Sequence, residues 1–562
     1  MAEPDLPRFA HFEGEKVTSL YDLYTRHAEV ARDIHQDSLR RFTGNNALTV
    51  DLVRESPIVP ENADETIRHM QEYDVVSVSS GVAIGSVLHS SGVAGLELAD
   101  KYRHVFAEQD MPVYVVAAGN EGLSKQTVMA RVADFARNSL VVGEANMNSG
   151  SPYVEEHSSR INPTVTSDSP FNRGERYQFY NVSPSLEGHE DLIREWIIDK
   201  EIDAAFEAYK VEHKDENLDD RALSMAYLEI SRNKHHELEE TEEGRARVKA
   251  QVDGYMANPE TLHSQIMAEF RQNRAIDANG YVTDLDGTSF SAPEQAGYIS
   301  GALYEQTQRE ENNRPILTKD EITTLAKMAT TDTTAREGQT DPMYSHTNAD
   351  GQTFVAGGGH GVFQPQMFRA LLDEAYKRIE TNPDIDRNSV TAVMSGNVGA
   401  NHKGTDPVTL RSNLPEGSNM VIDRMRLDLT YSVNGSVPHE ATIKPSGAEP
   451  YMVGLQEATS SSMFTGWSRD EYHFGEGLRA GQNWEVSMPR GKDATVRDAQ
   501  ITVYGYNQGG LMDQMMDYSK ELAAKMAPKP EVDPAAPALD NAIDQSIPPE
   551  NRLTADPPPG PR

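Results

Sequence analysis

Cysteine is absent from the 562 residues, which excludes disulfides, thiolate metal sites and a cysteine nucleophile. Positive charge is scarce: 52 lysines and arginines stand against 88 aspartates and glutamates, a formal net charge of -36. A protein that grips nucleic acid or an anionic membrane surface through phosphates needs the opposite balance, so neither is expected as a partner. No apolar run approaches the roughly 18 residues that cross a bilayer. The opening MAEPDLPRFAHFEGEKV lacks the basic-then-apolar pattern of a signal peptide. The expected protein is soluble, either cytoplasmic or exported without a conventional leader.

Hydrophobic residues, 37% of the chain, suffice for a sizeable core, and the length allows two to four domains. Residues 16–42 read mainly as helix, with Leu20, Tyr24, Ala28, Ala31 and Ile34 near a 3.6 spacing. Strands follow at ALTVDLV (47–53), DVVSVSSG (74–81), MPVYVVAAGN (111–120) and NSLVVGEA (138–145), alternating with helices at 63–73 and 92–109. Several are near-continuous Val and Ala, as in a parallel sheet covered on both faces. Ligands of such sheets bind beyond the carboxyl ends of the strands. Residues 189–275 are charged, helical and poor in Gly and Pro, an insertion into a first domain spanning 1–384. Short alternating strands over 385–510 read as an antiparallel β-sandwich. Residues 511–562 read as a short helix and a disordered Pro-rich tail.

GTSFSAPEQAG (287–297) carries the strongest chemical signal. A hydroxyl at a helix N-terminus, beside backbone N–H groups that can hold an oxyanion, suits acyl transfer. The same string also reads as a plain Gly-Thr-Ser helix cap. In the chemical reading Gly287 lets substrate approach, Ser289 supplies the oxygen, and Pro293 fits the first helical turn. Ala296 and Gly297 let that helix pack closely. AAGNEG (117–122) ends a buried strand, where the Asn120 amide can point into a cleft as an oxyanion donor beside Gly119. These residue types make ordinary turns as well.

Together, and in this order, the two strings resemble the subtilisin-like family of serine peptidases. IRHMQEYDVVSVSSG (67–81) is similar to the family's helix and strand leading to the edge that pairs with bound peptide. That similarity puts substrate binding on Ser79, Ser80 and Gly81, with Gly119 and Gly287. NSLVVGEA is similar to the strand after the oxyanion Asn, and GGGHGVFQPQMFRALLDEA (357–375) to the last turn and helix of the domain. The resemblance covers most of 45–160 and 280–380. It implies an α/β fold, a subtilisin-like parallel sheet flanked by helices, with the helical insertion and the C-terminal antiparallel β-sandwich added.

The family also uses an Asp on an early strand and a His heading a helix, and here the sequence departs from the pattern: neither Asp-Ser-Gly nor His-Gly-Thr occurs. RHAEVARDI (26–34) is a loose match to the His-headed helix, which makes His27 the expected general base, with His35 and His89 as rivals. Asp22, after EKVTSLY, is the expected orienting carboxylate, although those residues also fit one continuous helix from Thr18.

HFGEGLRAGQNWEVSM (473–488) and ATVRDAQITVYGY (494–506) resemble the closing half of the P-domain of kexin- and furin-like peptidases. This implies a docked, stabilising module with Phe474, Trp484 and Tyr504 in its core and Gly475 and Gly481 in turns. No metal motif stands out and no cofactor is expected. Structural calcium, frequent in the family, would draw on runs such as DLDG (284–287) or NADG (348–351), which are also turn sequences. The implied function is a serine endopeptidase acting on polypeptides, with protein partners meeting the helical insertion or the sandwich. The insertion is expected to act as a wall or lid. The alternative is a catalytically impaired pseudoprotease that keeps the fold for binding.

Overall fold

The computed structural model describes residues 6–13, 20–55, 63–79, 111–120, 127–133, 138–147, 153–154, 158, 165–171, 173, 175, 177–178, 184–214, 220–272, 281–282, 287–331, 345–347, 353–355, 361–397, 406–414, 420–433, 440–447, 450–454, 458–459, 465–478, 482–488 and 494–526. Ser80, Gly81, His89, both acidic runs named for calcium and the tail from 527 lie outside them.

The first domain is built on a sheet of strands β1 (Phe9–Phe12), β2 (Asp51–Val53), β3 (Val75–Val78), β4 (Val113–Ala117) and β5 (Ser139–Asn146). A short β6 (Tyr153–Val154) runs antiparallel to β5, and β7 (Val165–Asp168) is parallel to it. The order β7-β5-β4-β3-β1-β2 is parallel throughout. Side-chain alternation along these strands fills two cores. Phe9, Val75, Val113, Val115, Leu140 and Val142 face one, and Ala10, Phe12, Val76, Val78, Tyr114 and Val116 face the other. Both faces are therefore covered, which is why the strands lack a polar side.

β1 is the strand the sequence reading passed over. FAHF is four residues long with a histidine in the middle, so it lacks the Val-rich signature of its neighbours. Pairing on both sides, with β2 and β3, makes it a strand. The helix expected across 16–42 is two: α1 (Leu20–Thr25) and α2 (His27–Thr43), separated at Arg26 with φ 52° and ψ 59°.

The long helix Thr288–Glu311 lies on the first-core face and crosses α2 at very short range. A Cβ on Gly297 would stand 2.6 Å from the His35 carbonyl oxygen and 2.8 Å from the Leu39 nitrogen, and one on Gly301 would collide with Phe42. His35 Nε2 meets Ser300 Oγ at 2.8 Å across the same crossing. The close packing expected of Gly297 is therefore a backbone contact with α2.

Among the described residues, nine antiparallel strands between Ser389 and Asn507 form one continuous hydrogen-bonded path. Their inward residues, among them Leu410, Met425, Leu427, Ile443, Trp484 and Ile501, share one core, giving a sandwich-like module. Trp484 is buried as expected, whereas Tyr504 is half-buried under the Arg424 guanidinium, 4.9 Å from its ring centroid. The module is tied to the first domain by Tyr506, whose hydroxyl bonds Asp320 Oδ2 at 3.1 Å and lies 3.3 Å from Thr324 Oγ1. Helix Leu511–Met526 then returns to the first domain, where Leu511, Met512, Met515 and Met516 join its core.

The insertion comprises helices Glu190–Glu212, Asp220–His235, Glu242–Ala257 and Pro259–Gln272, with a π-turn at His236–Glu240. Among the described residues, its apolar side chains do not form a separate core. Ile193, Ile197, Ile198, Ile202, Val248, Leu262 and Ile266 cluster with Leu20 and Tyr24 of α1, Val30 and Ile34 of α2, and Phe290. Tyr227 is 39% exposed. Among the described residues no helix is long and apolar enough to cross a membrane.

The helix crossing gives a direct test. Gly297→Ala forces a methyl group against the α2 backbone, and overpacking of this kind costs about 1–3 kcal/mol. Chemical denaturation should show a lower midpoint with an unchanged slope, while Gln308→Gly, at an exposed position of the same helix, should lose only about 1 kcal/mol of helix propensity.

Candidate active site

Parallel pairing brings the carboxyl ends of β1, β3 and β4 to one edge, since Phe12 is level with Val78 and Val78 with Val116. The residues just beyond these strands are Glu13, Ser79, and Gly119 with Asn120. The amino ends of α2 and of Thr288–Glu311 meet the same edge, carrying His27 and Ser289.

The imidazole of His27 is oriented by Glu13. Its Nδ1 lies 3.0 Å from Oε1 and 3.1 Å from Oε2 of that carboxylate. Because a carboxylate in this setting only accepts, Nδ1 carries the proton, and Nε2 is the ring's acceptor nitrogen in the neutral form. Asp22, expected in this role, belongs to α1, and its side chain is outside the described residues. Glu13, just beyond a central strand, reaches the head of α2 across the sheet edge. Glu13 also touches a second ring, with Oε2 3.2 Å from His11 Nε2. Burial pushes the Glu13 carboxyl up, but the charge of His27 and the hydrogen bonds from both histidines outweigh it and hold the group well below the usual carboxylate range.

Ser289 sits in the first turn of its helix, with 9% of its surface exposed. Its hydroxyl donates to the Ser79 carbonyl at 3.1 Å, and the Ser79 hydroxyl donates to the Ser289 carbonyl at 2.8 Å. Among the described contacts, the Ser289 hydroxyl is thus turned to β3 rather than to His27. The next residue, Phe290, is buried and lies 4.8 Å from His27 ring to ring. Phe171 packs edge-on against Phe290 at 5.3 Å.

The orientation of Asn120 is fixed by donors. Thr288 gives its backbone N–H at 2.9 Å and its hydroxyl at 3.0 Å to one amide atom of Asn120. An N–H can only donate, so that atom is Oδ1 and the opposite one is Nδ2. Thr288 Oγ1 in turn accepts from Gly119 N at 3.1 Å. Nδ2 projects toward Gly287, where a Cβ would come within 2.9 Å of it. Gly287 has φ 134°, a conformation that L side chains rarely adopt, so both its backbone and the space beside Asn120 require glycine there.

Two supporting features carried no signal in the sequence. The fully buried Glu144 on β5 accepts the Gly287 N–H at 2.7 Å, anchoring the segment before Ser289. Arg173 pairs with Glu294 at 2.5 Å, Glu175 at 3.1 Å and Asp168 at 3.4 Å, tying the end of β7 to the Ser289 helix. Glu294, pushed up by burial, is partly compensated by Arg173 and by the Tyr298 hydroxyl at 3.2 Å.

His35 is buried at the helix crossing and bonded to Ser300, about three turns along the helix from Ser289. It holds two helices together and does not reach the edge. Among the described residues no group of three His, Asp or Glu is arranged to hold a metal ion.

No family model matches this sequence, and no curated protein does. Solved structures with similarity include the serine protease of Aeromonas sobria, at 9% identity and TM-score 0.40, covering 82% of this chain and 77% of that one. The same protease in complex with its chaperone gives 9% identity, TM-score 0.41 and the same coverage of 82% and 77%. The patellamide maturation protease PatA gives 11% identity and TM-score 0.29, over 66% of this chain and 97% of that one.

The depressed carboxyl of Glu13 predicts a pH signature. A group whose folded value lies below its unfolded one, here 4.5, stabilises fully above that value and loses the contribution as pH falls toward the folded value. Glu13→Gln should therefore flatten the acid arm of the stability curve below about pH 5. Urea denaturation at intervals from pH 3 to 7 reads this directly, and an unchanged acid arm would refute the assignment.

Proposed function

We propose that the chain is a serine peptidase in which Ser289 is the nucleophile, His27 the general base, Glu13 the orienting carboxylate and Asn120 an oxyanion donor. The observation that carries this reading is the Asn120 amide. Thr288 holds its oxygen so that the N–H₂ faces the Gly287–Ser289 turn, an arrangement that folding alone does not require. Such a donor aims at charge that develops only during reaction.

In this mechanism the Ser289 Oγ–H proton passes to His27 Nε2 as Oγ bonds the scissile carbonyl carbon. The oxyanion meets Asn120 Nδ2 and the Ser289 backbone N–H, which lies in the unsatisfied first turn of its helix. His27 then returns the proton to the amine as the C–N bond breaks. Water completes the cycle by the same proton path, releasing the acid and restoring the hydroxyl. The resting bond from Ser289 to the Ser79 carbonyl fits this scheme. A substrate N–H pairing with that carbonyl would take its place and free the hydroxyl to turn toward His27.

The same resting bond favours the second reading, a pseudoprotease whose hydroxyl is held away from the base. A fluorophosphonate probe separates the two. Covalent labelling abolished by Ser289→Ala supports the peptidase, and no labelling of the folded protein supports the pseudoprotease. In the peptidase, Asn120→Ala should lower kcat by about 10²–10³ with little change in KM.

We assign the insertion to buttressing as well as to screening the site, because its core includes Phe290 and the helix that carries His27. Its outer surface, and the sandwich, remain the surfaces proposed for protein partners, and the P-domain-like role of the sandwich is the docking contact made through Tyr506. Ile198→Asp, which disrupts the shared core, should slow labelling by a small probe. A pure lid would instead give faster labelling in that variant.

A further inference from the structure

His11 is a fully buried histidine in the middle of β1. Strand alternation puts it on the same side as Glu13, two residues on. Its Nε2 is 3.2 Å from Glu13 Oε2, and its Nδ1 is 3.3 Å from the hydroxyl oxygen of Ser77, its register partner on β3. Glu13 is thus clasped between two imidazoles on different elements, one at the strand centre and one at the head of α2.

We propose that His11 is a positioning residue of this site: a neutral imidazole that donates Nε2–H to Glu13 and so fixes the carboxylate against His27. The inference rests on the peptidase reading for its catalytic consequence, but its geometry stands apart from it.

The protonation pattern follows from the partners. Glu13 accepts, so Nε2 carries the hydrogen. Nδ1 of the neutral ring is then an acceptor, and the Ser77 hydroxyl supplies the proton it needs. Groups facing the ring are Glu13, which favours charge on it, and His27, Arg54 and His35, which oppose it. Burial is the largest influence and also opposes charge, lowering the His11 value. Ser77 therefore acts as the lock on the tautomer.

Glutamate gives a reason for this extra member. Its side chain has one more rotatable bond than aspartate, and each freely rotating bond lets the carboxylate leave the line of Nδ1. A second donor on the carboxylate removes that freedom, as outer-shell partners do for other functional side chains. The cost is a buried polar ring, which is satisfied at both nitrogens.

The test uses the full chain with ¹⁵N-labelled histidine and three variants. In the wild type at pH 7.5, the His11 ring should show the Nε2–H neutral tautomer. His11→Leu removes the donor at similar volume and should reduce kcat on the order of tenfold to a hundredfold with KM nearly unchanged. His11→Gln keeps a neutral donor toward Glu13 and should recover most of that loss, which a purely structural role would not predict. Ser77→Ala leaves both ring partners of Glu13 in place and should give a loss of a few-fold together with exchange between tautomers. It serves as the deciding variant if His11→Leu does not fold. A doubly protonated or Nδ1–H His11 overturns the proposal. So does a kcat in the Leu variant equal to wild type, or equal loss in the Leu and Gln variants. If the wild type shows the expected tautomer but no fluorophosphonate labelling, the positioning geometry holds and the peptidase reading fails instead.

Discussion

The backbone contact between α2 and the helix of Ser289 sets the distance on which the site depends. Helices in ordinary packing stay 8–10 Å apart because side chains separate them. Here Gly297 and Gly301 remove that spacer against Ser38, Leu39 and Phe42. Two helices held backbone to backbone have little freedom to slide, so their amino ends present His27 and Ser289 to the same sheet edge. His35 serves this contact through Ser300, and its burial is explained without any part in chemistry. The sheet contributes the other half, because parallel register brings the carboxyl ends of β1, β3 and β4 to one edge, with Glu13, Ser79 and Asn120 just beyond them.

Within that frame, charge is concentrated on a single carboxylate. Glu13 receives hydrogen bonds from His27 and His11, and these together overcome the cost of burying it. A buried anion is tolerated when its lone pairs are met by donors with good geometry. A second, partly buried cluster, Arg173 with Glu175, Glu294 and Asp168, follows the same rule beside α2, whose Arg41 also pairs with Glu175. The helix is thus held toward α2 by the glycine contact and by an ionic cluster on neighbouring turns of the same face.

Ser289 and Asn120 were legible in the sequence because each is embedded in a local string whose glycines are demanded by geometry, as the φ of Gly287 and of Gly119 bears out. His27 was legible more weakly, as the head of an apolar-periodic helix. Its partner was not, since FAHF reads as no element by itself and the family pattern has an aspartate in that role. Strand alternation applied to F-A-H-F-E would have put His11 and Glu13 on one face, which is the signal that was available. Glu144 and Glu294 could not be read at all: their partners lie 143 and 121 residues away in sequence, and only folding brings them together.

The insertion gives the same lesson at larger scale. Its helices look self-sufficient in sequence, with enough Ile, Leu and Tyr for a small core. The structure spends those residues on α1, α2 and Phe290 instead. Tyr24 is the clearest case, buried against Phe270 and hydrogen-bonded to His263 of the insertion while belonging to the helix just before His27. A change in the insertion therefore has a packed route of two side chains, Phe290 and then the His27 ring, to the site edge. Such a route links the packing of the insertion to the geometry of His27, provided that the shared core has more than one arrangement.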